Sequence, residues 1–212
     1  LNYSLEKELE YIREFTNETP KNYQLWQHRQ MIIEQMGSVF AAEDLEATKV
    51  HLEIDAKNIH CWQYRQWILR SFKITSIDEF DYTEGLLARD VYNNSAWNHR
   101  MFLIKTSSGY LSDKSAYLKG EFEKILPFLS VRTENNECFW NYLAALLNDF
   151  EFMTLASIIE SLSTKIRPPE STENYLFLRF LSRFSQGSEL QSICERLKVL
   201  HPINSSFWMA IQ

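Results

Sequence analysis

The sequence predicts an all-α fold, a right-handed superhelix of α-α hairpins, and three observations lead to it. First, the motif Asn-x-x-x-Trp recurs at Asn22–Trp26, Asn58–Trp62, Asn93–Trp97, Asn136–Trp140 and Asn204–Trp208. The Trp-to-Trp spacings are 36, 35, 43 and 68 residues, and a period in the mid-thirties to low forties is the mark of a helical-hairpin solenoid. Second, five Gly and five Pro among 212 residues leave little for a turn-rich sheet fold, while 45% hydrophobic and 14% aromatic residues supply a continuous core. Third, the residues after each Trp repeat in helical phase. Positions +6 and +7 are Ile32 and Ile33, Ile68 and Leu69, Leu103 and Ile104, Leu146 and Leu147. With Trp at 0 they form one face of a helix.

Each element follows from this frame. The Asn four residues before Trp stands where a helix N-cap belongs, its side-chain oxygen facing the free N–H groups of the first turn. The other helix of each hairpin is read from apolar stripes: Leu5, Leu9, Ile12 and Phe15; Leu45 and Leu52; Phe80, Leu86, Leu87 and Val91; Phe122, Ile125, Leu126 and Leu129; Ile158, Ile159 and Leu162; Ile193, Leu197 and Leu200. The 68-residue gap holds about two periods, and Asn174-Tyr-Leu-Phe-Leu178 near its middle keeps the spacing with Leu in place of Trp. Pro168-Pro169 reads as a hairpin boundary. Residues 1–212 are expected to form a single helical-repeat domain of roughly six hairpins. The helix at Leu5–Phe15 has no partner before it, so one or more N-terminal repeats are expected to precede residue 1.

Composition narrows the function. A net charge of −6 argues against a general nucleic-acid binder. No stretch approaches the roughly 18 apolar residues of a membrane span, so no membrane insertion is expected. Cys61, Cys138 and Cys194 are far apart and show no metal or disulfide spacing, which suits a reducing, cytoplasmic setting. No Ser/His/Asp set, Gly-rich phosphate loop or zinc motif is visible.

The fixed residues of the repeat read as scaffold. Trp at constant phase is core packing, and Arg29, Arg65 and Arg100 at +3 must be paired if buried. His28 and His99, two residues after Trp, read as structural or exposed. The variable residues before Trp carry more chemistry. Two repeats read Lys21-Asn22-Tyr23-Gln24 and Lys57-Asn58-Ile59-His60, whereas the third reads Tyr92-Asn93-Asn94-Ser95 and has no Lys. Helix N-termini attract anions, so Lys21, Lys57, Tyr23 and His60 at adjacent helix starts would make a phosphate or diphosphate site. Solvated turn lysines are the alternative reading.

The strings Pro-Lys-Asn-Tyr-Gln-Leu-Trp-Gln-His-Arg (20–29), Asp-Ala-Lys-Asn-Ile-His-Cys-Trp-Gln-Tyr-Arg-Gln-Trp (55–67) and Asp-Val-Tyr-Asn-Asn-Ser-Ala-Trp-Asn-His-Arg (90–100) resemble successive repeats of the protein prenyltransferase α subunit. Within that family the resemblance is to the branch shared by protein farnesyltransferase and type I geranylgeranyltransferase. Gly109-Tyr110 and Trp140-Asn141-Tyr142-Leu143 resemble it too. The resemblance implies a crescent of hairpins around a barrel-shaped β subunit, in a dimer that transfers a farnesyl or geranylgeranyl group to the cysteine of a C-terminal CaaX sequence. It implies zinc held by β, magnesium with the diphosphate, and no metal held by this chain. Carried over by position, Lys21 stabilises charge on the leaving pyrophosphate and is the catalytic residue. Tyr23 donates to diphosphate oxygens, Gln24 reaches the terminal carboxylate of the CaaX peptide, and Lys57, Asn58 and His60 line the diphosphate region from the next repeat. Ile59 departs from the pattern, standing where the family carries a Tyr. Two other readings stay open at this point: the α subunit of a Rab-type geranylgeranyltransferase, and a non-enzymatic scaffold that binds a peptide on its concave face.

Overall fold

Asn at the end of a short turn starts helix after helix. The computed structural model describes residues 4–74, 77–128, 136–148 and 175–210. Among them, α1 is Leu5–Glu18, α2 Tyr23–Met36, α3 Ser38–Ile54, α4 Ile59–Ser71, α5 Ile77–Arg89 and α6 Asn94–Thr106. There follow α7 Ser108–Ser112, α8 Lys114–Ile125, α9 Glu137–Leu147, α10 Tyr175–Leu181, α11 Gly187–Leu200 and α12 Ser205–Ala210. No strand occurs among the described residues. The predicted features at Leu129, Ile158, Ile159, Leu162, Pro168-Pro169 and Asn174, and the side chain of Leu126, lie outside what is described. The chain divides into two compact units, Leu1–Ala88 with Asn93–Leu103, and Arg89–Tyr92 with Ile104–Gln212.

The capping prediction holds at four motifs. Asn22 accepts from the N–H of Gln24, Asn58 from His60 and Cys61, Asn93 from Ser95 and Ala96, and Asn136 from Cys138 and Phe139. Asn204 differs: it is exposed and closes the 3-10 turn Pro202–Asn204 directly before α12.

In the first unit α2 packs against α1, α3 and α4, with Gly37 at φ +92° turning the chain from α2 into α3. Trp26, Trp62 and Trp97 are buried, as are Ile32, Ile33, Ile68, Leu69, Leu103 and Ile104. Trp26 and Trp62 each nest against the residue two places after the next repeat's Trp. Trp26 meets Tyr64 at 5.2 Å between ring centroids, and Trp62 meets His99 at 4.7 Å. In the second unit Trp140 meets Phe180 at 5.2 Å. Phe180 lies two residues after the buried Leu178, so Leu178 occupies the Trp phase. Phe15 departs from its predicted stripe: it is 38% exposed and rests on Tyr11.

The buried arginines are paired, and two carboxylates do the pairing across repeats. Asp44 of α3 accepts from Nε and Nη2 of Arg29 in α2, both at 2.7 Å, from Arg13 of α1, and from the hydroxyl of Tyr64 in α4. Glu79 of α5 accepts from Arg65 of α4 and from His99 of α6. Arg65 also donates to the Leu45 carbonyl and to Thr48 of its own hairpin. Each of these carboxylates therefore joins its own hairpin to the preceding one. Arg100 likewise donates to the Phe80 carbonyl and to Thr83 of its own hairpin. Burial disfavours both charged carboxylates, but their donors outweigh it. Asp44 is held below the usual carboxylate range by Arg29, Tyr64 and Arg13, and Glu79 falls to about 2 under His99 and Arg65. Burial, aided by the charge of Arg29, lowers His51 to about 4, and burial lowers His99 despite Glu79.

Asp44→Ala strands the guanidinium of Arg29 and the hydroxyl of Tyr64, so it should cost about 3–5 kcal/mol in urea unfolding; an unchanged midpoint refutes the shared role of Asp44. All four groups bind fewer protons in the fold than in the unfolded chain, so stability falls as pH falls. The His51 contribution is lost from about pH 6.5 down to about 4, and that of Glu79 from about 4.5 down to about 2. The melting temperature should therefore drop between pH 6.5 and 4 and more steeply below; a flat profile down to pH 4 refutes this.

Candidate functional site

Two turns of the first unit, 19–22 between α1 and α2 and 55–58 between α3 and α4, are built alike and bonded to each other. In the first turn the indole N–H of Trp26 donates to the Pro20 carbonyl at 2.8 Å. In the second, Trp62 donates to the Ala56 carbonyl at 2.9 Å. The amide nitrogen of Asn58 then donates to the same Pro20 carbonyl at 3.0 Å, and that of Asn93 to the Ala56 carbonyl at 3.2 Å. One Asn thus caps its own helix with its oxygen and grips the preceding turn with its nitrogen. In the second unit Asn136 repeats the move on the Val91 carbonyl at 2.7 Å. The starts of α2 and α4 are held side by side by this bond.

A second link joins the same turns. Lys21 Nζ lies 3.4 Å from Asp55 Oδ2, and Asp55 Oδ1 accepts the backbone N–H of Lys57 at 3.1 Å. Around these links stand the residues expected from the sequence. Lys21, Tyr23, Gln24 and Lys57 are exposed, and His60 is half-buried at the second position of α4. Asn58 is 3% exposed, and both ends of its amide are engaged in the cap and the inter-turn bond. Ile59, the first residue of α4 and the counterpart of Tyr23 on α2, is exposed and brings no hydroxyl.

The edge therefore offers two ammonium groups, a phenol, an amide and an imidazole beside two helix starts. Such a donor set suits an anion rich in oxygen acceptors. Among the described residues no group of three or more His, Cys, Asp or Glu side chains is placed to hold a metal ion. No described helix is long and apolar enough to cross a membrane.

Asp55, Asp44 and Glu79 were not singled out from the sequence, although a signal for the last two exists. In four repeats the residue two places after Trp has an acid 20 or 21 positions before it: Glu8 with His28, Asp44 with Tyr64, Glu79 with His99 and Glu121 with Tyr142. All four pairs are hydrogen-bonded. His28 at +2 is exposed and His99 is buried, so both outcomes anticipated for these histidines occur.

Comparison with known proteins agrees with this architecture. The family model described as protein prenyltransferase alpha subunit repeat matches residues 5–36, 41–72 and 77–107, the first three hairpins. The chain is 32% identical over 163 residues to the protein farnesyltransferase/geranylgeranyltransferase type-1 subunit alpha of Pisum sativum, covering 62% of this chain and 46% of that one. The Arabidopsis thaliana protein of the same name is 32% identical over 156 residues, covering 62% and 47%. The geranylgeranyl transferase type-2 subunit alpha of Bos taurus is 29% identical over 97 residues, covering 46% and 17%. The chain thus spans about half or less of the length of these relatives. Among solved structures, Candida albicans protein geranylgeranyltransferase-I complexed with GGPP contains a chain that superposes with a TM-score of 0.81 at 25% identity, covering 99% of this chain and 72% of that one.

Asn58→Ala removes a cap worth about 0.5–2 kcal/mol and an inter-turn bond worth about 1 kcal/mol. Urea unfolding should show a loss near the sum, and a loss confined to a few tenths refutes the double role.

Proposed function

We propose that this chain, which matches the protein prenyltransferase alpha subunit repeat over residues 5–36, 41–72 and 77–107, is the α subunit of a heterodimeric CaaX prenyltransferase. The observation that carries the proposal is the pair of Lys-Asn turns, Lys21-Asn22 and Lys57-Asn58, bonded together through Asn58 and Pro20. A prenyl diphosphate brought to this edge meets Lys21 and Lys57 beside two helix N-termini.

In the proposed reaction a cysteine thiolate of the protein substrate forms a C–S bond to C1 of the prenyl group as the C1–O bond breaks. Negative charge grows on the departing pyrophosphate. Lys21, 79% exposed on its turn, supplies a positive charge to those oxygens, and help of this kind at a developing anion lowers the barrier directly. Tyr23 donates a hydrogen bond to the diphosphate from the first residue of α2, and Lys57 and His60 complete the lining from α4. Gln24, next to Tyr23, is assigned to the terminal carboxylate of the CaaX peptide. Asn58 acts on the site indirectly, by fixing the distance between the two helix starts. The partner β subunit supplies the prenyl pocket and the zinc that makes the cysteine a thiolate, and magnesium accompanies the diphosphate. This chain alone is accordingly inactive.

The type-2 relative motivates a second reading, in which the partner and protein substrate are of the Rab type. Co-purification with a β subunit, followed by assay with a CaaX peptide and with a Rab protein, separates the two; capture of no β subunit favours a scaffold instead.

Lys21→Ala in the heterodimer should lower kcat for CaaX prenylation on the order of 10²-fold. Unchanged turnover removes Lys21 from the mechanism.

A further inference from the structure

Lys21 and Asp55 belong to successive turns, and the two partners are held very differently. The carboxylate is fixed: its Oδ1 accepts the Lys57 N–H at 3.1 Å, its backbone carbonyl accepts the Asn58 N–H at 3.0 Å, and its turn is tied to that of Lys21 through Asn58 and Pro20. The lysine is 79% exposed and meets Asp55 at 3.4 Å, while the carboxylate is 36% exposed. An ion pair this open is weak. An anion carrying two or three charges at the adjacent helix starts competes successfully for the same ammonium.

We infer that Asp55 is a positioning residue for Lys21, holding the ammonium at the edge in the empty site, yielding it when a diphosphate binds and taking it back when pyrophosphate leaves. The inference rests on the reading that Lys21 serves a diphosphate. It gives Asp55 a part in product release: the fixed carboxylate offers Lys21 an alternative partner, so the lysine does not stay on the product, and it also repels the product as a like charge.

Asp55→Asn isolates the charge. The Asn oxygen still accepts the Lys57 N–H, so the turn survives, and an unchanged melting temperature of the heterodimer verifies this. Product inhibition by inorganic pyrophosphate is then measured for the wild-type heterodimer, Asp55→Asn, Lys21→Ala and the double variant. Asp55→Asn should lower the inhibition constant roughly three- to tenfold, and the gain should shrink as ionic strength is raised from 0.05 M to about 1 M. In the Lys21→Ala background the same substitution should change it by less than about twofold. An inhibition constant that is unchanged or higher in Asp55→Asn overturns the inference. So does an equal gain with and without Lys21, which would reduce Asp55 to bare repulsion. Lys21→Ala that leaves pyrophosphate inhibition unaltered overturns the underlying assignment of Lys21, and it is read without reference to Asp55.

Discussion

A carboxylate shared between neighbouring hairpins is the interaction on which the rest of the first unit depends. A guanidinium as buried as that of Arg29 or Arg65 is tolerable only with a charged partner. Asp44 and Glu79 provide that partner from the next hairpin, and each also holds a hydroxyl or imidazole of its own hairpin. Because the pairing crosses the boundary between repeats, it sets how one hairpin is placed on another. The Trp side chains then nest against the following repeat, and the Asn caps come within reach of the preceding turn. Hydrophobic burial supplies most of the driving force, while directional contacts select the register.

The structure separates what is periodic from what is chemical. At the core, Trp, Arg and the +6 and +7 aliphatic residues recur with little change. At the helix starts the same phase holds Lys21, Lys57 and Tyr92, then Tyr23, Ile59 and Asn94, then Gln24, His60 and Ser95. A repeat array must repeat its interior, since every hairpin meets the same kind of neighbour. Its edge carries no such obligation, so different side chains at equivalent positions can converge on one asymmetric ligand. Asn58 stands between the two regimes, being part of the frame by its contacts and part of the candidate site by what it spaces.

The fold was largely legible because its signals are local and periodic. The caps at Asn22, Asn58, Asn93 and Asn136 follow from one side chain and the next turn of backbone, and the buried face follows from helical spacing. The Leu178 phase was legible for the same reason. The second job of Asn58 was not, because its amide nitrogen bonds a carbonyl 38 residues away and nothing local announces that. Asp44 and Glu79 were overlooked although an acid recurs 20 or 21 residues before four of the +2 positions, since acids on a helix read by default as solvated. Phe15 misled in the opposite direction, its apolar character placing it in a stripe whose end faces solvent and Tyr11. The site edge was legible only as a set of side-chain types. Which of them are exposed, and that Asp55 lies among them, required the two turns to be seen together.

The shared carboxylates also give the chain a direction of assembly. Arg29 leaves the ribosome before Asp44, and Arg65 before Glu79, with 15 and 14 residues between them. At ordinary translation speeds that interval is about 1–3 s. During it the newest hairpin presents an arginine whose partner has not been made. The first two hairpins are each completed by the next one, and each keeps one cation open to water until the following first helix arrives.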